Sequence, residues 1–98
     1  MTKITGKQKK YLKGLAHKLS PVVMVGNKGV SEAVLKEIDA TLEAHELIKI
    51  RVRCEDQVEF QETVAEIEEK ANASLIQSIG HSVVLYREAK EAVIKLPS

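Results

Sequence analysis

The sharpest local pattern in the chain is Val25-Gly26-Asn27-Lys28-Gly29-Val30, two glycines around a lysine where an apolar run gives way to an amphipathic segment. Backbone N–H groups at a helix start lack intrahelical partners, and the helix dipole adds partial positive charge, so such a junction favours an anion. Glycines without a Cβ let a phosphate backbone come close, and Lys28 adds a charge between them. KH domains clamp a nucleic-acid backbone with a loop of this GxxG form. The same two glycines also make a plain β-to-α turn, and the spacing alone does not choose between these readings. It does exclude two nucleotide motifs, because neither GxxxxGK[ST] nor GxGxxG is present.

The next candidates are cations. Residues 1–30 carry seven lysines and no acid, whereas residues 31–69 carry four basic and twelve acidic side chains, so a net charge of +1 conceals a polarised chain. Lys7, Lys10, Lys13, His17 and Lys18 cover the polar side of a first helix. That surface is either a phosphate-binding patch or a solvated face. Lys49, Arg51 and Arg53 alternate with Ile48, Ile50 and Val52, which gives a strand one apolar and one basic face. They extend the patch or are simply that strand's polar side. His17 contacts phosphate or caps the end of the first helix.

Catalytic chemistry finds no support. His17, His45 and His81 are scattered, no nucleophile elbow occurs, and Cys54 is the sole cysteine, which excludes an intrachain disulfide and a cysteine-rich zinc site. The expectation is a non-enzyme without metal or cofactor. With Tyr11, Phe60 and Tyr86 as the only aromatics, a base-stacking platform of the RRM type is also disfavoured. No apolar run reaches signal-peptide or membrane length, so a cytoplasmic monomer without a membrane partner is the simple expectation.

The elements that must position these groups follow from periodicity and punctuation. Ninety-eight residues make one domain, 1–98. Thr5-Gly6-Lys7-Gln8 has capping-box spacing and starts a helix with Leu12, Leu15, Ala16 and Leu19 on one side, ended by Ser20-Pro21. Val22-Val23-Met24-Val25 reads as a buried strand. Ser31 caps a second helix with Val34, Leu35, Ile38 and Leu42 as its stripe, fading near His45. Leu47–Arg53 is the alternating strand. A third helix over Asp56–Ala71 buries Phe60, Val64, Ile67 and Ala71, turns Glu59, Glu62, Glu66 and Glu69 outward, and stops at Asn72, which tolerates the left-handed conformation. Strands over Ser74–Ile79 and Ser82–Arg87 flank a tight Gly80-His81 turn. Glu88–Ser98 is a tail or short edge strand. The order α-β-α-β-α-β-β predicts an α/β (α+β) domain with a mixed four-stranded sheet covered by helices.

Taken together, Lys7-Gln8-Lys9-Lys10-Tyr11-Leu12-Lys13-Gly14-Leu15-Ala16-His17, Pro21 through Gly29, His45-Glu46-Leu47-Ile48-Lys49-Ile50, and Gly80 with Val83-Val84-Leu85-Tyr86-Arg87 resemble four motifs of one family. It is the CRM domain (chloroplast RNA splicing and ribosome maturation), in its single-domain YhbY-like bacterial form. Asn72 stands where that family often has glycine, and His81 where lysine or arginine is common. The resemblance implies a fold similar to the C-terminal domain of translation initiation factor 3. It also implies RNA binding and association with large-subunit (pre-50S) ribosomal RNA precursors. Gly26, Asn27, Lys28 and Gly29 would then form the RNA loop, with the first-helix lysines beside it. A rival reading is a protein-interaction module whose acidic third helix docks a basic ribosomal protein.

Overall fold

Three short polar side chains open the three helices. Thr5 caps α1 (Gly6–Ala16), Ser31 caps α2 (Glu32–His45) and Asp56 caps α3 (Gln57–Ala71), each accepting the backbone N–H three residues on. At α1 the box is reciprocal: Gln8 Oε1 accepts the Thr5 N–H at 3.1 Å while Thr5 Oγ1 accepts the Gln8 N–H at 3.1 Å. Asn72 ends α3 in the left-handed conformation at φ 54° and ψ 45°.

The computed structural model describes residues 4–26, 30–90 and 94. Its strands are β1 (Val23–Val25), β2 (Leu47–Val52), β3 (Ser74–Ile79) and β4 (Ser82–Tyr86), in the spatial order β1-β2-β4-β3. The β1–β2 pair is parallel and the other two are antiparallel, so the sheet is mixed. Between β3 and β4 only the first turn residue, Gly80, has positive φ (59°), as a tight turn with glycine in that place requires. The domain is α+β, with the element order the sequence predicts.

One expectation needs correction. The basic face of β2 is not open along its length, because the sheet is covered on both sides. On one side α2 and α3 bury Ile38, Leu42, Phe60, Val64 and Ile67 against Ile48, Ile50, Val52, Val83 and Leu85. On the other, α1 lays Leu12 and Ala16 on Leu47, Ile76, Val84 and Tyr86. A bulge between Leu75 and Gln77 makes this possible by adding Ile76 to the α1 side of β3. Lys49 is half-buried as a result, while Arg51, one step further along, stays exposed.

The run Val22–Val25 is likewise not buried throughout. Val23 and Val25 face α2 and α3 at 1% exposure, but Val22 and Met24 are 51% and 54% exposed. The reason is the length of α1. It ends at Ala16, short of the expected Ser20-Pro21 stop, and packs over β2 and β3. Leu15, expected in its stripe, is correspondingly part-exposed, and Leu19 packs only at the margin.

The C-terminal segment has a partner that periodicity does not reveal. Glu46 joins α2 to β2 at φ 63° and is completely buried. Its carboxylate accepts the backbone N–H of Ala89 at 2.7 Å and of Ile94 at 2.5 Å, and its carbonyl accepts that of Arg87 at 2.9 Å. Arg87 in turn donates to Asp39 Oδ1 at 2.6 Å and to the Ala71 carbonyl at 2.9 Å, tying α2 to the end of α3. A non-glycine residue held at positive φ costs ~1–3 kcal/mol, and bonds to a charged acceptor contribute ~1.5–3 kcal/mol each, so the carboxylate offsets its own backbone strain.

Candidate nucleic-acid interface

The strand directions bring four features to one end of the sheet. β1 runs into Gly26, β2 runs parallel beside it into Arg53, and β3 and β4 meet there at Gly80-His81. Two backbone bonds hold the β1–β2 edge beyond the ladder, Val22 N–H to the Lys49 carbonyl and Arg53 N–H to the Val25 carbonyl, both 2.9 Å. The C-terminal end of α1 points the same way. His17 and Lys49 line one hollow of about 110 Å³ with Ala16, Gln77, Ile79 and Ser82. Lys13 precedes His17 by four residues, hence on the same ridge of the helix.

Lys7, Lys10, His17 and Lys18 are exposed, Lys13 is half-buried, and all belong to the layer over the α1 side of the sheet. Lys49 and Arg51 come up from the sheet beneath. His17 is the C-terminal cap residue of α1, the second of the two roles expected of it, and its backbone N–H donates to the Leu15 carbonyl. Asn27, Lys28 and Gly29 lie outside the described residues, which leaves Gly26 as the described member of the loop. It is exposed, its φ is not positive, and a Cβ built on it meets nothing within 4 Å among the described residues. Neither backbone strain nor crowding within the protein therefore calls for glycine there.

The start of α2 is a weaker anion site than the loop sequence suggests. Ser31 Oγ already accepts the Val34 N–H at 3.2 Å, and Glu32 puts a carboxylate in the first turn. Both answer the dipole from within the chain.

Charge is sorted by layer. Neither α1 nor any of the four strands contains an acidic residue. Among the described residues the acids sit on α2 and α3 and their adjoining loops, with Glu59, Glu62, Glu66, Glu68 and Glu69 on α3 alone; the exception is Glu88, just after β4. The polarity along the chain thus survives in space. His81 belongs to the acidic side: its ring packs edge-on against Phe60, centroids 6.4 Å apart. Cys54 is half-buried, with its sulfur 3.7 Å from Thr63 Oγ1. Among the described residues no cluster of three or more His, Cys, Asp or Glu has the geometry to hold a metal ion, and no helix is long and apolar enough to cross a membrane.

A mixed sheet with one basic and one acidic helical layer places this chain in a recognised class of small α+β domains. The model of the CRS1 / YhbY (CRM) domain matches residues 4–87, and the chain belongs to that family. It is 48% identical over 97 residues to a protein of Haemophilus influenzae named RNA-binding protein, covering 99% of this chain and 98% of that one. It is 46% identical to the Probable RNA-binding protein YqeI of Bacillus subtilis, over 96% of this chain and 99% of that one. Among solved structures, the solution structure of SAV1595 from Staphylococcus aureus matches with a TM-score of 0.74 at 43% identity, covering 97% of this chain and all of that one.

Proposed function

We propose that this protein binds RNA in the cytoplasm through the α1 face and the Gly26–Gly29 loop, without catalysing a reaction, and that its target is large-subunit ribosomal RNA in an assembling particle. The observation that carries the binding reading is the layered charge: a polyanion meets no carboxylate from α1 or from any strand. The names of the relatives support RNA as the polyanion. The ribosomal target rests on the family resemblance.

The test is Lys7→Gln, Lys10→Gln and Lys13→Gln together. RNA affinity should fall at least tenfold, and the melting temperature should hold, since glutamine keeps the first two methylenes of the stem that Lys13 half-buries and the other two positions are exposed. Unchanged affinity would return α1 to a solvated face. The acidic outer side of α3 favours a second reading, docking of a basic ribosomal protein. Exchanging Glu62 and Glu69 for glutamine should weaken that contact and leave RNA binding intact.

A further inference from the structure

The α1 face is not uniformly polar where it approaches the loop. The ladder places Met24 opposite Arg51, Arg51 opposite Ser82, and Ser82 opposite Ile79, one continuous row across all four strands. Alternation puts the whole row on the α1 side, since Val23, Ile50, Val52 and Val83 face the other core. The row lies at the end of α1: Ser82 is half-buried there and borders, with Ile79, the hollow at Ala16 and His17, while Met24, Arg51 and Ile79 stay exposed. Met24 is 54% and Ile79 57% exposed, with exposed Arg51 and half-buried Ser82 between them in the row. With strands ~4.8 Å apart, the row is about 14 Å wide.

We infer that this row is a seat for unpaired nucleobases, so that the protein prefers single-stranded RNA segments to duplex. The inference rests on the RNA-binding reading and deepens it. The occupant follows from the combination of groups. Apolar side chains alone would suit any apolar surface, but these flank a cation, belong to an acid-free sheet, and share Ile79 and Ser82 with the hollow that holds His17 and Lys49. A partner must therefore bring flat apolar surface and negative charge together. An unstacked nucleotide does so: its base lies on a thioether or an aliphatic chain, or stacks on a guanidinium plane, while its phosphates meet the lysines. The row takes over a task usually given to aromatic rings. Duplex RNA hides its base faces and cannot use it.

The experiment compares three RNA probes: a short strand of mixed sequence, the same strand annealed to its complement, and the same strand with abasic riboses. They are measured against the parent protein, the Met24→Gln/Ile79→Thr variant and the triple lysine variant. The parent should hold the intact strand about tenfold more tightly than the abasic strand, toward the low end of what stacking one base contributes. The Met24→Gln/Ile79→Thr variant should lose that preference and keep its affinity for the duplex. The triple lysine variant should weaken on all three probes alike. Equal binding of intact and abasic strands by the parent overturns the inference with no variant needed, and leaves the RNA-binding reading standing. Equal losses on strand and duplex in the Met24→Gln/Ile79→Thr variant overturn it too. If the parent binds none of the probes, the RNA-binding reading itself fails. Loss of affinity for an acidic peptide in that variant, with RNA binding unchanged, would assign the row to a protein partner instead.

Discussion

Replacing Gly26 with alanine separates the two meanings of a GxxG loop. If the glycine serves the turn, alanine should strain it; if it serves the ligand, alanine should harm only binding. The structure decides the first half. Gly26 has no positive φ, and an added Cβ meets nothing within 4 Å among the described residues. Glycine-to-alanine changes at compatible positions stabilise by ~0.4–1 kcal/mol through the unfolded chain. For a domain of this size that corresponds to a rise of about 2–8 °C in melting temperature. Binding should move the other way. A methyl group where a phosphate must touch the backbone removes a charge-assisted N–H contact, a loss of ~1.5–3 kcal/mol and so at least about tenfold in affinity. Circular-dichroism melting and fluorescence anisotropy with labelled RNA, on one preparation, read both quantities. A lower melting temperature would mean that the turn needs its glycine. An unchanged affinity would mean that no backbone approaches Gly26. Either result refutes the reasoning.

Three further outcomes follow from the same geometry. Four to six phosphate contacts to a single strand should give a slope of log K against log salt of about −3 to −4, and affinity that barely changes with salt would exclude a lysine-driven interface. Glu46→Ala removes the acceptor of the Ala89 and Ile94 N–H groups and should lower stability by about 3 kcal/mol in urea unfolding, with Glu46→Gln losing less; a neutral Glu46→Ala would show that the C-terminal segment does not depend on this carboxylate. Burial, then the charges of Glu46 and Glu88, push the Tyr86 phenol above its ordinary value of 10.0. The unfolded chain therefore loses this proton first, so its contribution to stability is complete below about pH 10 and declines as pH rises further, which pH-dependent unfolding of Tyr86→Phe against the parent would register.

Local chemistry was legible in the sequence because its partners lie within a few residues. Thr5 and Ser31 as caps, Asn72 as a left-handed stop and Gly80 in the hairpin all follow from three- or four-residue patterns, and each is where it should be; Asp56, read as the first residue of the third helix, is its cap. Non-local arrangements were not legible. Strict alternation in Leu47–Arg53 hides the fact that Leu47 has a second core to enter, because that core requires α1 to fold back across strands found far along the chain. The bulge at Ile76 offers no glycine to announce it. Glu46 looks like one more surface acid until the chain returns with Ala89 forty-three residues later. For the site, the sequence named cations that the fold puts on the α1 side of the sheet, with His17, Lys49 and Arg51 toward the Gly26 end and Lys7 and Lys10 on the opposite half of α1. It missed the bare row of Met24 and Ile79, since an apolar residue inside an apolar run gives no sign of exposure. Only the distance that α1 fails to cover reveals it.

The layered charge has one more consequence, for valency. A small basic protein with cations all round can bridge separate RNA segments and condense them. Here α2 and α3 present a back surface rich in carboxylates, with Asp39 and Glu43 already engaged by Arg87 and the α3 glutamates turned outward. On the proposed function, a second strand approaching from behind would be repelled, so each molecule would engage RNA from one side only and would not act as a cross-link. Raising the protein concentration should therefore coat RNA without collapsing it. With the proposed target, a one-sided occupant of an assembling particle would shield a segment while leaving the surrounding chain free to find its own partners.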